Sequence, residues 1–429
     1  MTEIEATVLV VTLLLAMMAL SVPIGAAMAL SAFTGIAMLY GTGTAFFMVG
    51  EVSMEVGFNY ELCIIPLFIL MGNLATKAGM SADLYQGCAR LFGGLKGALA
   101  MATILACGCF AAVSGSSLAT ATALGQVSLP EMKKHNYSDS LATGCVAAGG
   151  TIGVLIPPSI ILVIYGVLTE TSITDLFVAA VIPGFMQIVI YALTIAIIVR
   201  VWPKSAGVGT PTSFREKLAA LPQISSMFVL FALIIGGLYL GIFTPTEAAG
   251  FGVIFALCIG VLRRSLSLRQ VVDALYSSIK TTGMIALIIF GAFLLINFFV
   301  LTRANITIAD YILSFNASPF LILMVILLIY LILGCFLDSI GMVLLTVPVI
   351  FPIIVGLGYD PIWFGVILVI VVETGMITPP LGINVFAIKS IAPDIPLSTI
   401  FKGVVPFWGA DLVRLALLVL FPALTLYFV

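Results

Sequence analysis

Charge is what this sequence has least of. Of 429 residues only 8% are Asp, Glu, Lys or Arg, against 62% hydrophobic, and the mean hydropathy is +1.28. A soluble globular chain carries about 25% charged residues. So little charge cannot cover a folded surface in water, which excludes a soluble protein. The net charge is −2 and basic runs stop at two residues, Lys133-Lys134 and Arg263-Arg264, which excludes a nucleic-acid binder. The single histidine, His135, stands in a polar stretch beside those lysines, so a histidine-based active site or metal centre has no residues to work with. The seven cysteines, Cys63, Cys88, Cys107, Cys109, Cys145, Cys258 and Cys335, form no CxxC and no Cys/His cluster. They read as small buried hydrophobes. A P-loop is also missing, which removes an ATP-driven pump for this chain alone. The opening residues, Met1-Thr-Glu-Ile-Glu5, lack the basic start of a cleaved signal peptide, so the first apolar run is expected to stay as a membrane span.

What the chain does have is apolar runs. About 20 apolar residues cross a bilayer as a helix. Runs fall at 6–22, 24–40, 62–76, 97–112, 117–130, 141–168, 177–199, 223–243, 246–262, 281–301, 319–337, 340–353, 361–388 and 404–428. Two pairs are too short to cross twice: 97–112 with 117–130, and 319–337 with 340–353. Tight polar tips join them, Ser114-Gly115-Ser116-Ser117 and Asp338-Ser339-Ile340-Gly341. They read as re-entrant hairpins over about 97–130 and 319–353. Ten crossings remain, five in each half. With the N-terminus outside, inner loops receive 15 of the 17 lysines and arginines, leaving Arg303 outside and Arg414 near a span end. The outer loops carry Glu51, Glu55, Glu61, Glu170, Asp175, Asp310 and Asp360. Counting either hairpin as one crossing destroys this positive-inside bias. Both termini are then expected outside.

The halves resemble each other. Pro23 aligns with Pro245, Pro130 with Pro352, and Gly153-Val-Leu-Ile-Pro157-Pro158 with Gly375-Met-Ile-Thr-Pro379-Pro380, all at an offset of 222. Five crossings is an odd number, so the second half is upside down relative to the first. The expected architecture is an all-α polytopic membrane protein of two inverted repeats, 1–201 and 223–429, separated by a cytoplasmic linker at 202–222. Each repeat has a hairpin and a broken helix, at 141–168 and 361–388. Inverted repeats with broken helices mark secondary transporters. The mixed stretches 80–96 and 302–318 are expected as interfacial helices linking a fixed part to a mobile part.

A double proline inside a span frees carbonyls of the preceding turn, and in lipid those need a partner. A cation is one. Gly153 to Pro158 can offer carbonyls facing the hydroxyls of Ser114, Ser116 and Ser117. The mirror site would use Asp338 and Ser339 with carbonyls around Gly375, Thr378 and Pro380. Oxygen ligands without nitrogen or sulfur suit Na⁺. The competing reading is that the prolines only kink helices and the serines only cap them. Four acids lie within spans, each costing about 2.5–3.5 kcal/mol at a helix centre. Asp338, on a tip, is the first ligand candidate and Glu373 the second. Glu247 after Thr244-Pro245 reads as a helix-start charge. Asp411, three before Arg414, reads as half of a helix-surface ion pair. Half-helix N-termini at Ser116 and Ile340 would aim positive dipole ends at the centre, which favours an anionic solute. Thr120, Thr122, Thr374 and Asn384 can hydrogen-bond it, and no buried arginine clamp is evident.

At these residues the sequence resembles the large membrane subunit, the DctM component, of tripartite ATP-independent periplasmic (TRAP) transporters. The matching pieces are Ile65-Pro66 through Gly72, Ser114-Gly-Ser-Ser-Leu-Ala-Thr120, Leu129-Pro-Glu-Met132, Gly149-Gly150 through Pro158 and Pro183-Gly184. In the second half they are Thr244-Pro-Thr-Glu-Ala-Ala249, Leu337-Asp-Ser339, Trp363-Phe-Gly365 and Thr378-Pro-Pro-Leu-Gly-Ile-Asn384. The resemblance implies Na⁺-driven import of an organic acid, of C4-dicarboxylate or sialic acid type, in a bacterial inner membrane. It implies a periplasmic substrate-binding protein, a four-span small subunit, and an elevator motion of hairpins and broken helices. Carried over by motif, the first Na⁺ site would be Ser114, Ser116, Gly153, Ile156 and Pro158. The second would be Asp338, Gly375, Thr378 and Pro380. The substrate would lie between the tips, near Ser117, Thr120, Ser339, Thr374 and Asn384. Some members carry the small subunit fused ahead of the large one; a separate small subunit is expected here. The alternative is a stand-alone Na⁺/carboxylate symporter of similar architecture. A channel would need a filter sequence. An enzyme would need a base beside the serine tip, and no His or Lys lies near it.

Overall fold

The computed structural model describes residues 2–207, 212–315 and 317–429, and within them the chain is helical, with no β-strand. A backbone surrounded by hydrocarbon must satisfy its own polar groups, and the helix does so locally. The first half runs α1 (Glu3–Ala19), α2 (Ile24–Tyr40), α3 (Thr42–Phe58), α4 (Ile64–Lys77), α5 (Met80–Leu91), α6 (Ala98–Ser114), α7 (Ser117–Lys134), α8 (Asp139–Leu155), α9 (Ile160–Thr169) and α10 (Ile173–Val201). The second runs α11 (Phe214–Tyr239), α12 (Pro245–Leu262), α13 (Leu268–Leu301), α14 (Ala304–Ser314), α15 (Pro319–Gly334), α16 (Ser339–Gly356), α17 (Pro361–Gly375), α18 (Ile383–Ile391), α19 (Leu397–Leu420) and the short α20 (Ala423–Leu426).

The two paired short helices and the two breaks fall where the tips and double prolines predict. The first pair is α6 with α7, and the second is α15 with α16. The first break lies between α8 and α9, and the second between α17 and α18. Both Pro–Pro bonds are cis. The mixed stretches are the helices α5 and α14. Local chemistry explains the starts. Ser138, Ser159 and Asp360 each accept a hydrogen bond from a first-turn N–H, and Thr244 forms a reciprocal capping box with Glu247. Glu247 is therefore a helix-start charge, as its spacing predicts.

Other expectations need correction. The helix α3 has no counterpart among the apolar runs, because Glu51, Glu55 and three glycines dilute its hydropathy; both glutamates sit on a helix, not in an outer loop. Together α3 and α4 form a pair bent by 60°. The bend is held by Asn59, whose side chain accepts from the N–H groups of Glu61 (2.9 Å) and Leu62 (3.2 Å). In the second half the corresponding limb is the single 34-residue α13, which begins well ahead of the run at 281. Residues 214–222 of the linker are the first turns of α11, and 208–211 lie outside the described residues. Two cysteines, Cys63 and Cys258, are exposed, so the buried reading fails for them; all seven thiols are free. Among the described residues, seven helical segments are long and apolar enough to cross a membrane, or eight with the bent pair, and α16 is one of them.

The centre of the molecule is the pair of broken helices. Of the span Asp139–Thr169, 89% of the most apolar stretch is buried inside the protein, and α17 is buried throughout from Trp363 to Gly375. A helix apolar on every side belongs inside a bundle. Small residues let the neighbours close in. A Cβ on Gly403 of α19 would lie 1.9 Å from the Ser140 carbonyl oxygen, so α8 and α19 cross backbone to backbone. Outside this centre α1, α3, α11, α12 and α13 present exposed apolar side chains, such as Phe46, Phe214, Leu262 and Ile279.

Candidate functional site: a cavity between two hairpin tips

The first tip is made by Gly115, in the left-handed region at φ 56°, followed by Ser116 in extended conformation as the cap of α7. The Ser116 hydroxyl accepts from the Ala119 N–H at 3.4 Å. The Ser114 hydroxyl pairs with that of Thr120 at 2.6 Å and donates a long bond to the Ser116 carbonyl at 3.5 Å. The first break lies against this tip. A Cβ on Gly153 would come 2.5 Å from Thr120 Oγ1 and 2.9 Å from the Ser116 carbonyl oxygen; one on Gly115 would come 3.0 Å from the Pro158 carbonyl oxygen. Glycine at both positions lets oxygen atoms of the tip and of the break approach one another. Ser114, Ser116, Gly153, Pro158 and Thr120 therefore meet in one place. The Ile156 side chain packs away from it, against Gly108 and Gly184. The donor set is hydroxyl and carbonyl oxygen, which fits a hard monovalent cation.

The second tip starts α16 with Asp338 as cap, its carboxylate accepting from the Gly341 N–H at 3.0 Å. Here the break is met differently. A Cβ on Gly375 would lie 2.7 Å from the Gly334 Cα, so α15 and α17 touch at backbone level. Cys335 Sγ donates to the Pro379 carbonyl at 3.4 Å. The Thr378 hydroxyl donates to the Thr374 carbonyl (2.6 Å) and accepts from Trp408 Nε1 (2.9 Å), and Pro380 is exposed. Gly375, Thr378 and Pro380 thus sit around one break, with Asp338 across the α15–α16 turn. This grouping is looser than the first, where Gly153 and Pro158 are buried.

Between the tips lies a cavity of about 530 Å³. One wall is Ser114 to Ala119 and Asp338 to Ile340. The opposite wall comes from the start of α2 (Pro23, Ile24, Gly25), from α4 (Ile69, Gly72, Asn73, Thr76) and from α13 (Thr281, Met284, Ile285, Leu287, Ile288). The first residues of α7 and α16 line it; the Ala119 N–H is taken by the Ser116 hydroxyl and the Gly341 N–H by the Asp338 carboxylate, and the positive dipole end of each helix lies at this wall. Among the described residues its lining holds no Lys, Arg or His.

Of the residues proposed for the solute, Ser117 and Ser339 line this cavity. Thr120, Thr374 and Asn384 lie behind its wall. Thr120 pairs with Ser114, Thr374 donates to the Ile370 carbonyl (2.7 Å), and Asn384 reaches the Ala147 carbonyl at 3.5 Å. Thr122 donates to its own helix at Leu118. Sequence reasoning missed Met376, the residue that joins the tips: the hydroxyls of Ser117 and Ser339 both point at its sulfur. Glu373 is buried and accepts from Ser339 at 2.9 Å. Asn73 lines the cavity and donates to Ser278 at 2.8 Å. Asn73 carried a signal, an amide inside an apolar run. Met376 carried none.

The Asp411–Arg414 pair also differs from expectation. The ion pair exists, at 3.0 Å, but both side chains are only 1% exposed, so it is interior and Arg414 is a buried arginine after all. Asp411 also accepts from the Tyr191 hydroxyl of α10.

Comparison with known proteins gives one consistent answer. The family profile of the "Tripartite ATP-independent periplasmic transporter, DctM component" matches residues 11–424. The C4-dicarboxylate TRAP transporter large permease protein of Pseudomonas aeruginosa is 35% identical over 87% of this chain and 87% of its own. The sialic acid TRAP transporter large permease protein of Vibrio cholerae is 34% identical over 86% of each. An isethionate TRAP permease of Oleidesulfovibrio alaskensis, named as a joined DctMQ protein, is 30% identical, and this chain spans 58% of it. In fold, the chain is similar to the YdaH transporter of Alcanivorax borkumensis, with TM-score 0.65 at 14% identity over 91% of this chain and 89% of that one.

Proposed function

The chain belongs to the DctM component family of tripartite ATP-independent periplasmic transporters, a family of membrane permeases, and from that premise we propose that it imports an organic acid with Na⁺. The solute is of the C4-dicarboxylate or sialic acid class that the relatives' names give. The observation that carries the reading is the cavity between two tips, each tip set against a helix break. An anion at the α7 and α16 N-termini and cations among hydroxyl and carbonyl oxygens would neutralise one another. Binding either one then favours the other. The first Na⁺ would be held by Ser114, Ser116, Gly153, Ile156 and Pro158, the second by Asp338, Gly375, Thr378 and Pro380.

On this reading the halves 1–201 and 223–429 are inverted repeats, and the protein lies in a bacterial inner membrane with both termini periplasmic. The hairpins and broken helices form the moving part. The exposed flanks of α1, α3, α11, α12 and α13 form a fixed part that a four-span small subunit braces, and a periplasmic binding protein delivers the solute. This orientation places Pro23, Thr76 and Thr281 toward the cytoplasm. The cavity they bound would be open inward, with the moving part displaced to that side.

The test is uptake by proteoliposomes holding the chain, its small subunit and the binding protein. An inward Na⁺ gradient is expected to drive uptake of labelled dicarboxylate or sialic acid, and Ser116→Ala and Asp338→Ala to weaken it tenfold or more. Equal uptake with choline in place of Na⁺ would remove the coupling. Uptake without the binding protein would favour a stand-alone symporter.

A further inference from the structure

Buried polar side chains away from the cavity form one connected chain behind the first break. Arg414 of α19 pairs with Asp411 at 3.0 Å, and Asp411 accepts from the Tyr191 hydroxyl of α10. Gln187 Nε2 donates to Tyr191 at 3.2 Å and to Thr151 Oγ1 of α8 at 2.9 Å. All five residues are 0–1% exposed. A network this deep is costly unless its members hold one another, and once they do it fixes their relative placement. Phe407 closes the cluster with its ring edge on Tyr191, centroids 5.3 Å apart.

Where the chain of bonds ends matters most. Thr151 stands two residues before Gly153, on the last turn and a half of α8 before the break. The rest of α8 is held by apolar packing, with Leu141, Val146, Ile152, Val154 and Leu155 buried in the core, and by the long bond from Asn384 to the Ala147 carbonyl. Its closest backbone approaches are Gly144 on Gly403, Gly149 on Cys107, Gly150 on Ala121 and Gly153 on Thr120. Apolar packing holds α8 in place without direction, whereas a hydrogen bond ties one atom to one partner. Among the described residues, Thr151 is the α8 side chain that hydrogen-bonds to another helix. A cation site tolerates shifts of its carbonyls of only a few tenths of an ångström.

We propose that Tyr191, Gln187, Asp411 and Arg414 are positioning residues of the first cation site, setting the register of α8 through Thr151 so that the Gly153 and Ile156 carbonyls face the α6–α7 tip. The proposal rests on the Na⁺ reading given above. It touches neither ion nor solute, and it assigns a role to a cluster some distance behind the cavity.

The experiment is a Na⁺ titration of melting temperature on the purified chain with its small subunit, at constant ionic strength made up with choline chloride. Stabilisation grows as RT ln(1 + [Na⁺]/Kd), so the titration reads Kd without a substrate. Tyr191→Phe and Thr151→Val are expected to raise the apparent Kd about tenfold, and Thr151→Ser, which keeps the hydroxyl, to restore it. The Tyr191→Phe effect should add to that of Asp338→Ala but vanish in a Ser116→Ala background, because coupled residues are not additive. A merely structural role would lower melting in every salt and leave the Na⁺ midpoint in place; that result overturns the proposal. Should Tyr191→Phe fail to fold, the Thr151 pair of variants decides. Absence of any Na⁺-specific rise in the unaltered chain would overturn the Na⁺ reading itself, and the positioning role with it. A rise there that the variants leave unchanged would overturn the positioning role alone.

Discussion

Gly153 shows how much one missing Cβ controls. Two oxygen atoms sit where a methyl would go, and the Ser116 carbonyl cannot step aside without moving the tip. Gly153→Ala should cost about 1–3 kcal/mol by overpacking. It should also abolish Na⁺-specific stabilisation, read as melting in NaCl against KCl. The buried pair behaves in the opposite sense. Arg414→Met alone leaves Asp411 charged and unpaired, and should destabilise by about 3–5 kcal/mol. Adding Asp411→Leu should recover much of that loss, measured by melting of the two variants side by side. At this scale the sequence was legible where chemistry is local. The Ser-Gly-Ser-Ser tip, the double prolines and the Thr244–Glu247 cap are written in consecutive residues. Tyr191 and Met376 were not legible, because each acquires its role from partners on other helices; Glu373 was legible as an acid within a span but not its contact with Ser339. The surface reading of Asp411 failed for the same reason: spacing on one helix gives the pair but not its burial.

Among the elements, the paired helices α6–α7 and α15–α16 and the two breaks were legible because polar tips and double prolines interrupt the apolar runs. The helix α3 was lost because hydropathy averages over Glu51 and Glu55, whereas helix formation does not. The α8–α19 crossing was invisible, since a lone Gly144 and a lone Gly403 say nothing until they touch. That crossing is demanding. Gly403→Ala puts a methyl 1.9 Å from the Ser140 carbonyl, so α19 must move outward. The expected outcome is a lower melting temperature and a reduced folded yield on size-exclusion chromatography. Gly409→Ala on the same helix, with open space around it, should leave both unchanged.

For the molecule as a whole, the inward-open reading makes two demands. In a background freed of native cysteines, Thr281→Cys should react with a membrane-impermeant maleimide applied from the cytoplasmic side and not from the periplasmic side. The reverse pattern would invert the orientation. The second tip also touches the opposite wall, with Gly341 against the Ile24 side chain. Cysteines at 24 and 341, joined by a short bifunctional reagent, should hold the two parts together and stop uptake, with activity returning when a cleavable linker is cut. Continued uptake in the joined protein would argue against movement of the tip past α2.

The unequal limbs carry one more consequence. A straight helix of 34 residues is about 50 Å long, whereas the hydrocarbon layer is about 30 Å thick. The apolar run 281–301 matches that layer in length, and the preceding turns, with Arg269, Asp273 and Lys280, would emerge into the headgroups. The charged turns at one end would then set the depth of the rod, and its excess length would be taken up by tilt. The opposite limb, jointed at Asn59, can fold to suit. Lipids with longer or shorter acyl chains would tilt the rod against the jointed limb, and the thickness of the bilayer would become a setting on the height of the cavity wall.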